Sequence, residues 1–433
     1  MSMQGLKISE NRRFLTTADG TPFFWLGDTA WNLLHKLDRD EAEHYLRYRE
    51  EQQFNVIQTV ILSEADGLRT GNAYGRKPLK QNERGEYDPL LPDTEGDYSY
   101  WDHIDFVLDM AASLGLYVAL LPTWGDKFHL KGGKGPVIFH EQNARAYGRW
   151  LGNRHKNRPN LIWVLGGDRP LVRYEHFAVI RAMAEGIKAG GGGRHLMTFH
   201  PQGWQSSSHH AHEEAWLDFN MIQSGHGQRE LVNYEFVNAD YGRFPVKPTL
   251  DAEPCYEDIP VGFKPENGYF DAADVRTAAY YAVLSGAFGH TYGQHSIWSM
   301  TRETDDDFVM TWQEGLHRPG AAQMRHLRAL MESRPLPERV PDQSLVANNR
   351  PGANYMTAAR GREYAFVYTP NGLPVEVTMG KIAGSRAAAS WFDPRTGEFR
   401  EIGEYPNLGT AFFRPPAAGR GNDWVLVLDT MDG

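Results

Sequence analysis

The chain has 433 residues, of which 41% are hydrophobic, and its 45 basic and 55 acidic side chains give a formal net charge of −10. This acidic balance argues against binding to nucleic-acid phosphates or to anionic membrane surfaces. The length exceeds that of one ordinary domain and fits a barrel of about 250 residues or more plus a smaller module.

The first half of the chain alternates short apolar runs with amphipathic segments, a pattern that predicts β-strands followed by helices. The predicted strands cover residues 23–28, 55–62, 116–121 and 161–165. The predicted helices cover residues 39–53, 100–115, 141–157 and 174–189. A polar stretch at residues 63–99 interrupts the alternation and is interpreted as a functional loop.

The second half repeats this alternation. Strands are predicted at residues 196–199, 219–223, 248–252 and 288–292, and helices at residues 271–285 and 321–333. Eight such units predict an α/β fold, a closed (β/α)8 TIM barrel over residues 1–337. The main alternative, a doubly wound open sheet, needs a glycine-rich phosphate loop after an early strand, and the sequence has none.

The pattern changes beyond Arg334, where Pro335, Pro337 and Pro341 mark a linker. Short alternating runs separated by turn residues follow at residues 364–368, 376–378, 389–392 and 424–428. This predicts a small C-terminal antiparallel β-sandwich domain over residues 338–433.

Two acidic residues come directly after apolar strands, where the loops of a barrel open and catalytic groups are expected. Asp168 follows the fourth strand and Glu253 ends the seventh. Glycoside hydrolysis needs one acid that protonates the leaving oxygen and one carboxylate that attacks the sugar or activates water. The pair therefore predicts a glycosidase with Asp168 as acid/base and Glu253 as nucleophile. The charge of Glu253 is expected to raise the pKa of Asp168.

The gap between the two carboxyl groups decides the stereochemistry, because about 5–5.5 Å gives retention and about 6.5–9.5 Å gives inversion. We expect retention. The structural alternative is that each acid forms an ion pair or a helix cap, and Arg169 is next to Asp168. Asp251 is a less favoured candidate that shares the face of Glu253 if the strand alternation continues.

Other polar and aromatic residues follow the strands at the same predicted face and are candidates for substrate binding. They are Asp28, Trp31, Trp124, His200, His226, Tyr256, His290, Tyr292 and Trp298. Aromatic side chains combine a large apolar face with, in Trp and Tyr, a polar group, which suits contact with sugar rings. For the first two candidates, a helix cap and a core aromatic residue remain the alternatives.

Four segments carry a resemblance to a known family: residues 25–31 (Trp-Leu-Gly-Asp-Thr-Ala-Trp), residues 289–293 (Gly-His-Thr-Tyr-Gly), Gly-Gly-Asp ending at Asp168 and Ala-Glu-Pro around Glu253. They resemble the apiosidase-like glycoside hydrolases over residues 6–334. Residues 345–429 resemble the C-terminal β domain that carries a collagen-binding label in that family. The resemblance implies a clan-A-type barrel, the same roles for Asp168 and Glu253, and hydrolysis of bonds to apiose or a related sugar in plant cell-wall pectin.

The leading hypothesis is therefore an exo-acting glycosidase on pectic oligosaccharides, since the loop at residues 63–99 favours a pocket over an open cleft. One alternative is an endo-β-glycanase on the same barrel. Another is a non-catalytic carbohydrate-binding or adhesion protein that binds through its β domain.

No cofactor or metal is expected. The histidines at positions 209, 210 and 212 do not form an HExxH motif, and Asp305–Asp307 lacks EF-hand spacing. Cys255 is the only cysteine, so no intrachain disulfide can form. The sequence shows no signal-peptide pattern and no apolar run long enough to span a membrane. These features predict a cytoplasmic protein, or a secreted one if a leader was removed. They do not predict the oligomeric state.

Overall fold

A nine-stranded, mostly parallel sheet forms the larger part of the chain in this computed structural model, which describes residues 3–431. Its parallel strands are β1 Trp25–Thr29, β2 Val56–Val60, β3 Tyr117–Leu121, β4 Leu161–Gly166, β5 Met197–His200, β6 Asn220–Gln223, β7 Thr249–Asp251 and β8 Gly289–Tyr292. Their spatial order is β5-β4-β3-β2-β1-β8-β7-β6, and the strand Gln205–Ser206 pairs antiparallel with β6.

The sheet closes into a ring between β5 and β6. The backbone amide of Asp218 donates to the carbonyl of Met197 at 2.8 Å, and the Thr198 hydroxyl donates to the carbonyl of Phe219 at 2.6 Å. Every predicted barrel strand overlaps an observed one. The predicted (β/α)8 fold class is confirmed.

Helices follow the strands and pack around the ring. The longer ones are Arg39–Glu51, Tyr100–Ser113, Glu141–His155, Tyr174–Gly191, Asn233–Tyr241, Ala272–Leu284 and Pro319–Glu332. The shorter ones are Leu33–Lys36, Ser208–Ala211, His295–Ser299 and Trp312–Gly315. Asp38, Ser99 and Asp271 begin three of the long helices with capping boxes, which satisfy backbone amides that have no partner inside the helix. Within residues 3–431, none of the helices is long and apolar enough to cross a lipid bilayer.

Two short antiparallel sheets accompany the barrel. The strands Leu6–Ile8, Leu15–Thr17 and Pro22–Phe23 precede β1 as one sheet. The stretch predicted as a loop at residues 63–99 contains a hairpin of Leu79–Gln81 and Tyr87–Pro92. This segment is therefore partly ordered as β-structure.

The C-terminal domain consists of a six-stranded and a two-stranded antiparallel sheet. The larger sheet contains, in spatial order, Val340–Pro341, Thr357–Arg360, Tyr364–Thr369, Trp424–Thr430, Arg386–Phe392 and Phe399–Pro406. The smaller sheet pairs Val375–Thr378 with Thr410–Phe413. Buried residues of both sheets, including Trp391 and Phe413, share one hydrophobic core, as the predicted fold class requires.

Candidate active site

The carboxyl ends of the barrel strands surround a cavity of about 390 Å³. Asp168 and Glu253 both line it. Five of the predicted substrate-binding residues line it with them: Trp31, Trp124, His226, Tyr256 and Trp298. The chain thus brings both predicted catalytic carboxyl groups into one hollow, at the end of the barrel where βα loops carry catalytic groups.

A left-handed turn holds Asp168 at the end of β4. Gly166 and Gly167 have φ angles of 93° and 105°, and Asp168 has a φ of 56°. A Cβ atom on Gly166 would lie 2.4 Å from the carbonyl oxygen of His200, so only glycine fits there. Strained backbone of this kind clusters at functional sites, where the surrounding structure must maintain it.

The surroundings of Asp168 favour its protonated form. Burial raises the pKa of this carboxyl group and the charge of Glu253 raises it further, while Arg169 and His200 lower it in part. Arg169 Nη1 donates to Asp168 Oδ2 at 2.9 Å. A raised pKa is what a general acid needs if it is to hold a proton near neutral pH.

The surroundings of Glu253 have the opposite effect. This residue is only 6% exposed, and burial alone would raise its pKa. His200 Nε2 lies 2.7 Å from Oε2, and His226 Nε2 lies 3.3 Å from Oε1. These two imidazoles outweigh burial and lower the pKa of Glu253 to about 2. Glu253 is therefore an anion at neutral pH, and His200, which does not line the cavity, acts on it from behind.

Asp28, His290 and Tyr292 are buried outside the cavity, and their prediction as substrate-binding residues is wrong. All three are 0% exposed. Asp28 Oδ2 accepts hydrogen bonds from Arg49 Nε at 2.6 Å and from the Tyr45 hydroxyl at 2.5 Å. The segment that carries the family resemblance therefore holds a structural ion pair at Asp28.

The physical reason is the alternation of side chains along a strand. Trp25 contacts Phe219 across the ring, with ring centroids 6.0 Å apart, so it faces the barrel interior. Its Nε1 donates to Thr291 Oγ1 at 3.0 Å, which places Thr291 on the interior face as well. Residues an odd number of positions away along the same strand face the surrounding helices instead. Asp28 is three positions from Trp25, and Tyr292 is one position from Thr291.

Asp251, the less favoured catalytic candidate, also lies outside the cavity. It is 0% exposed, and its Oδ2 accepts from the Ser224 hydroxyl at 2.7 Å and the Asn233 side-chain amide at 2.9 Å. Strand β7 ends at Asp251, so the alternation does not continue to Glu253. Within residues 3–431, no group of three His, Cys, Asp or Glu side chains is arranged to hold a metal ion.

The cavity wall contains further residues that the sequence analysis did not select: Glu64, Trp204, Gln223, Phe263, His295 and Asp307. Glu64 comes shortly after β2, so the rule that selected Asp168 would also have selected it. Trp204 and Phe263 come from loops, are 41% and 65% exposed, and have left-handed φ angles of 62° and 60°. No sequence pattern indicates that they belong to the site.

Known proteins resemble the chain in both of its parts. Residues 9–338 match the family described as "Apiosidase-like, catalytic domain", and residues 340–429 match the family described as "Putative collagen-binding domain of a collagenase". No curated protein matches the chain.

Solved structures of glycoside hydrolases are similar over nearly the whole length. A glycoside hydrolase family 5 structure from Bacteroides vulgatus is 34% identical, covers 99% of this chain and 93% of its own, and has a TM-score of 0.90. Another structure, described as a glycoside hydrolase, is 35% identical, with 99% and 98% coverage and a TM-score of 0.88. An endo-1,4-beta-mannanase from Rhizomucor miehei is 12% identical, with 75% and 99% coverage and a TM-score of 0.51, which is a likeness of fold alone.

Proposed function

Because the chain belongs to the apiosidase-like family and is a glycosidase, we propose that it releases a terminal apiose-like sugar from pectic oligosaccharides with retention of configuration. Asp168 is the acid/base and Glu253 the nucleophile. The observation that carries this proposal is that two carboxyl groups lining one cavity have pKa values displaced in opposite directions. Such a pair can hold one proton and one negative charge at the same pH.

The proposed reaction has two steps. Asp168 protonates the glycosidic oxygen while Glu253 attacks the anomeric carbon, so that the leaving alcohol departs and a glycosyl ester forms on Glu253. Asp168, now ionised, takes a proton from a water molecule, which attacks the anomeric carbon and breaks the ester. His200 and His226 keep Glu253 ionised for the first step and stabilise it as it leaves in the second.

The size and lining of the cavity support a small sugar residue as the group transferred. A volume of about 390 Å³ is at the lower end of the range for small-molecule sites, about 300–1,000 Å³. Trp31 and Trp124 pack edge to face with centroids 5.2 Å apart and form an aromatic part of the wall. Trp204 and Phe263, which remain exposed, offer apolar surface to the rest of an oligosaccharide.

Two variants test the assignment of roles. Asp168→Ala should lose activity on sugars with poor leaving groups but keep it on 4-nitrophenyl glycosides, whose leaving group needs no protonation. Glu253→Gln should lose activity on both by several orders of magnitude. Equal activity of wild type and both variants would overturn the mechanism.

The products test the remaining parts of the proposal. Chromatography of a pectic oligosaccharide digest should show release of a monosaccharide. NMR of the first product formed should show the anomeric configuration of the substrate. Release of longer fragments would support an endo-acting glycanase instead, and an inverted first product would exclude Glu253 as the nucleophile.

A further inference from the structure

A third carboxyl group, that of Glu64, lines the cavity with Asp168 and Glu253. The backbone that carries it is fixed from two sides. The Ser63 hydroxyl donates to Asn32 Oδ1 at 2.5 Å, and Lys127 Nζ donates to the Ser63 carbonyl oxygen at 3.2 Å. Glu64 is therefore held in place by the barrel, although it lies at the start of a long connection.

Each acidic neighbour of Glu64 has a basic partner, whereas Glu64 has none among the described residues. Asp126 pairs with Lys127 at 2.7 Å, Asp168 pairs with Arg169 at 2.9 Å, and Glu253 lies 2.7 Å from His200. The carboxyl group of Glu64 has neither a hydrogen bond nor an ion pair with any side chain or backbone group of the described chain. Glu64 is half-buried and lines the cavity, so the hydrogen-bonding capacity of its carboxyl group is available to a ligand bound there.

The electrostatic surroundings indicate what kind of partner fits. Burial raises the pKa of Glu64 to about 7, the charge of Asp168 contributes in the same direction, and Arg169 opposes it. Near neutral pH, Glu64 is therefore protonated in a substantial fraction of the molecules. A protonated carboxyl group can donate one hydrogen bond and accept others, which matches a pair of sugar hydroxyl groups.

We propose that Glu64 binds hydroxyl groups of the sugar held between Asp168 and Glu253, and that this sugar is uncharged. The inference rests on the proposed function and names the class of sugar that the site accepts. A glycuronic acid in the same position would bring its carboxylate close to Glu253, which is ionised, and to Glu64, which is ionised in part near neutral pH. Among the described residues 3–431, the basic side chains near Glu64 and in the cavity wall each already lie against an acid: Arg169 against Asp168, Lys127 against Asp126, His226 against Glu253 and His295 against Asp307.

Substitution of Glu64 tests the contact. Glu64→Ala should lower kcat/KM for a neutral 4-nitrophenyl glycoside about 10- to 100-fold, the usual effect of a lost buried hydrogen bond. Glu64→Gln should lose much less, since its amide also donates and accepts. The matched control is Asp66→Asn, on the same loop: Asp66 pairs with Arg69 at 2.6 Å and does not line the cavity. Its left-handed φ of 63° is one that asparagine tolerates, so this variant should behave like wild type.

Monodeoxy substrates separate direct contact from a structural effect. For an analogue that lacks a hydroxyl bound by Glu64, the difference in kcat/KM between wild type and Glu64→Ala should shrink, whereas for the other analogues it should stay the same. An equal loss on every deoxy analogue would show that Glu64 acts through the fold and would overturn the proposal. Should Glu64→Ala fail to fold, Glu64→Leu, which has a side chain of similar size that cannot hydrogen-bond, takes its place in the same series.

The charge of the sugar is tested with matched 4-nitrophenyl glycosides and glycosiduronic acids. Wild type should cleave the neutral glycoside and not the uronide, and the uronide should inhibit cleavage of the neutral glycoside only weakly. Equal cleavage or binding of the uronide would overturn the inference. If wild type cleaves no glycoside at all, the proposed function fails, whereas full activity of Glu64→Ala in an enzyme that needs Asp168 removes only this inference.

Discussion

The most direct test of the electrostatic reasoning is replacement of His200 by phenylalanine. His200 and His226 together hold the pKa of Glu253 at about 2 against an ordinary value of 4.5, a difference worth about 3 kcal/mol. His200 makes the shorter contact, 2.7 Å against 3.3 Å. Burial is the largest influence on Glu253, and it raises the pKa. Without His200, one of the two histidines that oppose burial is lost and His226 remains. We therefore expect the pKa of Glu253 to rise in this variant.

The assay is the pH dependence of kcat/KM. A nucleophile must be ionised, so activity is lost as the pH falls through its pKa. With a pKa of about 2, wild type should show no loss from Glu253 between pH 7 and pH 4. For each unit by which the pKa of Glu253 in His200→Phe exceeds 4, kcat/KM at pH 4 should fall about tenfold.

The control for this experiment is His210→Phe. His210 is half-buried, bonds to Gln205 at 3.0 Å and does not line the cavity. The His210→Phe variant should leave the acid side of the pH profile of kcat/KM unchanged. A folded His200→Phe enzyme whose acid limb does not move would refute the reasoning, as would an equal displacement in the control.

Three further predictions concern packing and the rim of the cavity. Asp28→Ala leaves Arg49 buried without its partner and should lower the free energy of unfolding by about 3–5 kcal/mol in denaturant titration, with unchanged kcat per folded molecule. Trp204→Ala should raise KM for an oligosaccharide up to about tenfold and leave KM for the methyl glycoside unchanged. Arg276→Ala removes the partner of buried Asp423 and should lower stability by a similar 3–5 kcal/mol, seen in the same titration.

The barrel could be predicted from the sequence because its strands are short apolar runs and most of its helices have a continuous apolar face. The helix Asn233–Tyr241 escaped prediction, since two of its four buried residues, Asn233 and Asp240, are polar. Their burial is explained only by tertiary partners. Asn233 bonds to Asp251, and Asp240 accepts from the Ser206 and Ser208 hydroxyls at 2.5 Å. Such pairs are distant in sequence, so no local pattern contains them.

The site was predictable only where a strand ends. A polar residue inside a strand faces either the interior or the helices, and a shift of one residue reverses the assignment. Asp28 and Tyr292 lie within strands, and for them this choice was made wrongly. Asp168 and Glu253 lie just beyond their strands, and both line the cavity. The loop residues Trp204 and Phe263 depend on backbone conformations that composition does not reveal.

The C-terminal domain packs against the barrel through a shared hydrophobic core. Its residues Phe366 and Val427 belong to the same hydrophobic core as Tyr280 of the barrel helix Ala272–Leu284. Tyr280 and Tyr368 stack with ring centroids 4.9 Å apart, and Arg276 of the same helix forms its buried ion pair with the β domain. This helix connects β7, which ends just before Glu253, to β8. The domain therefore supports the wall that carries Glu253, the proposed nucleophile, and its family label does not by itself supply a binding function.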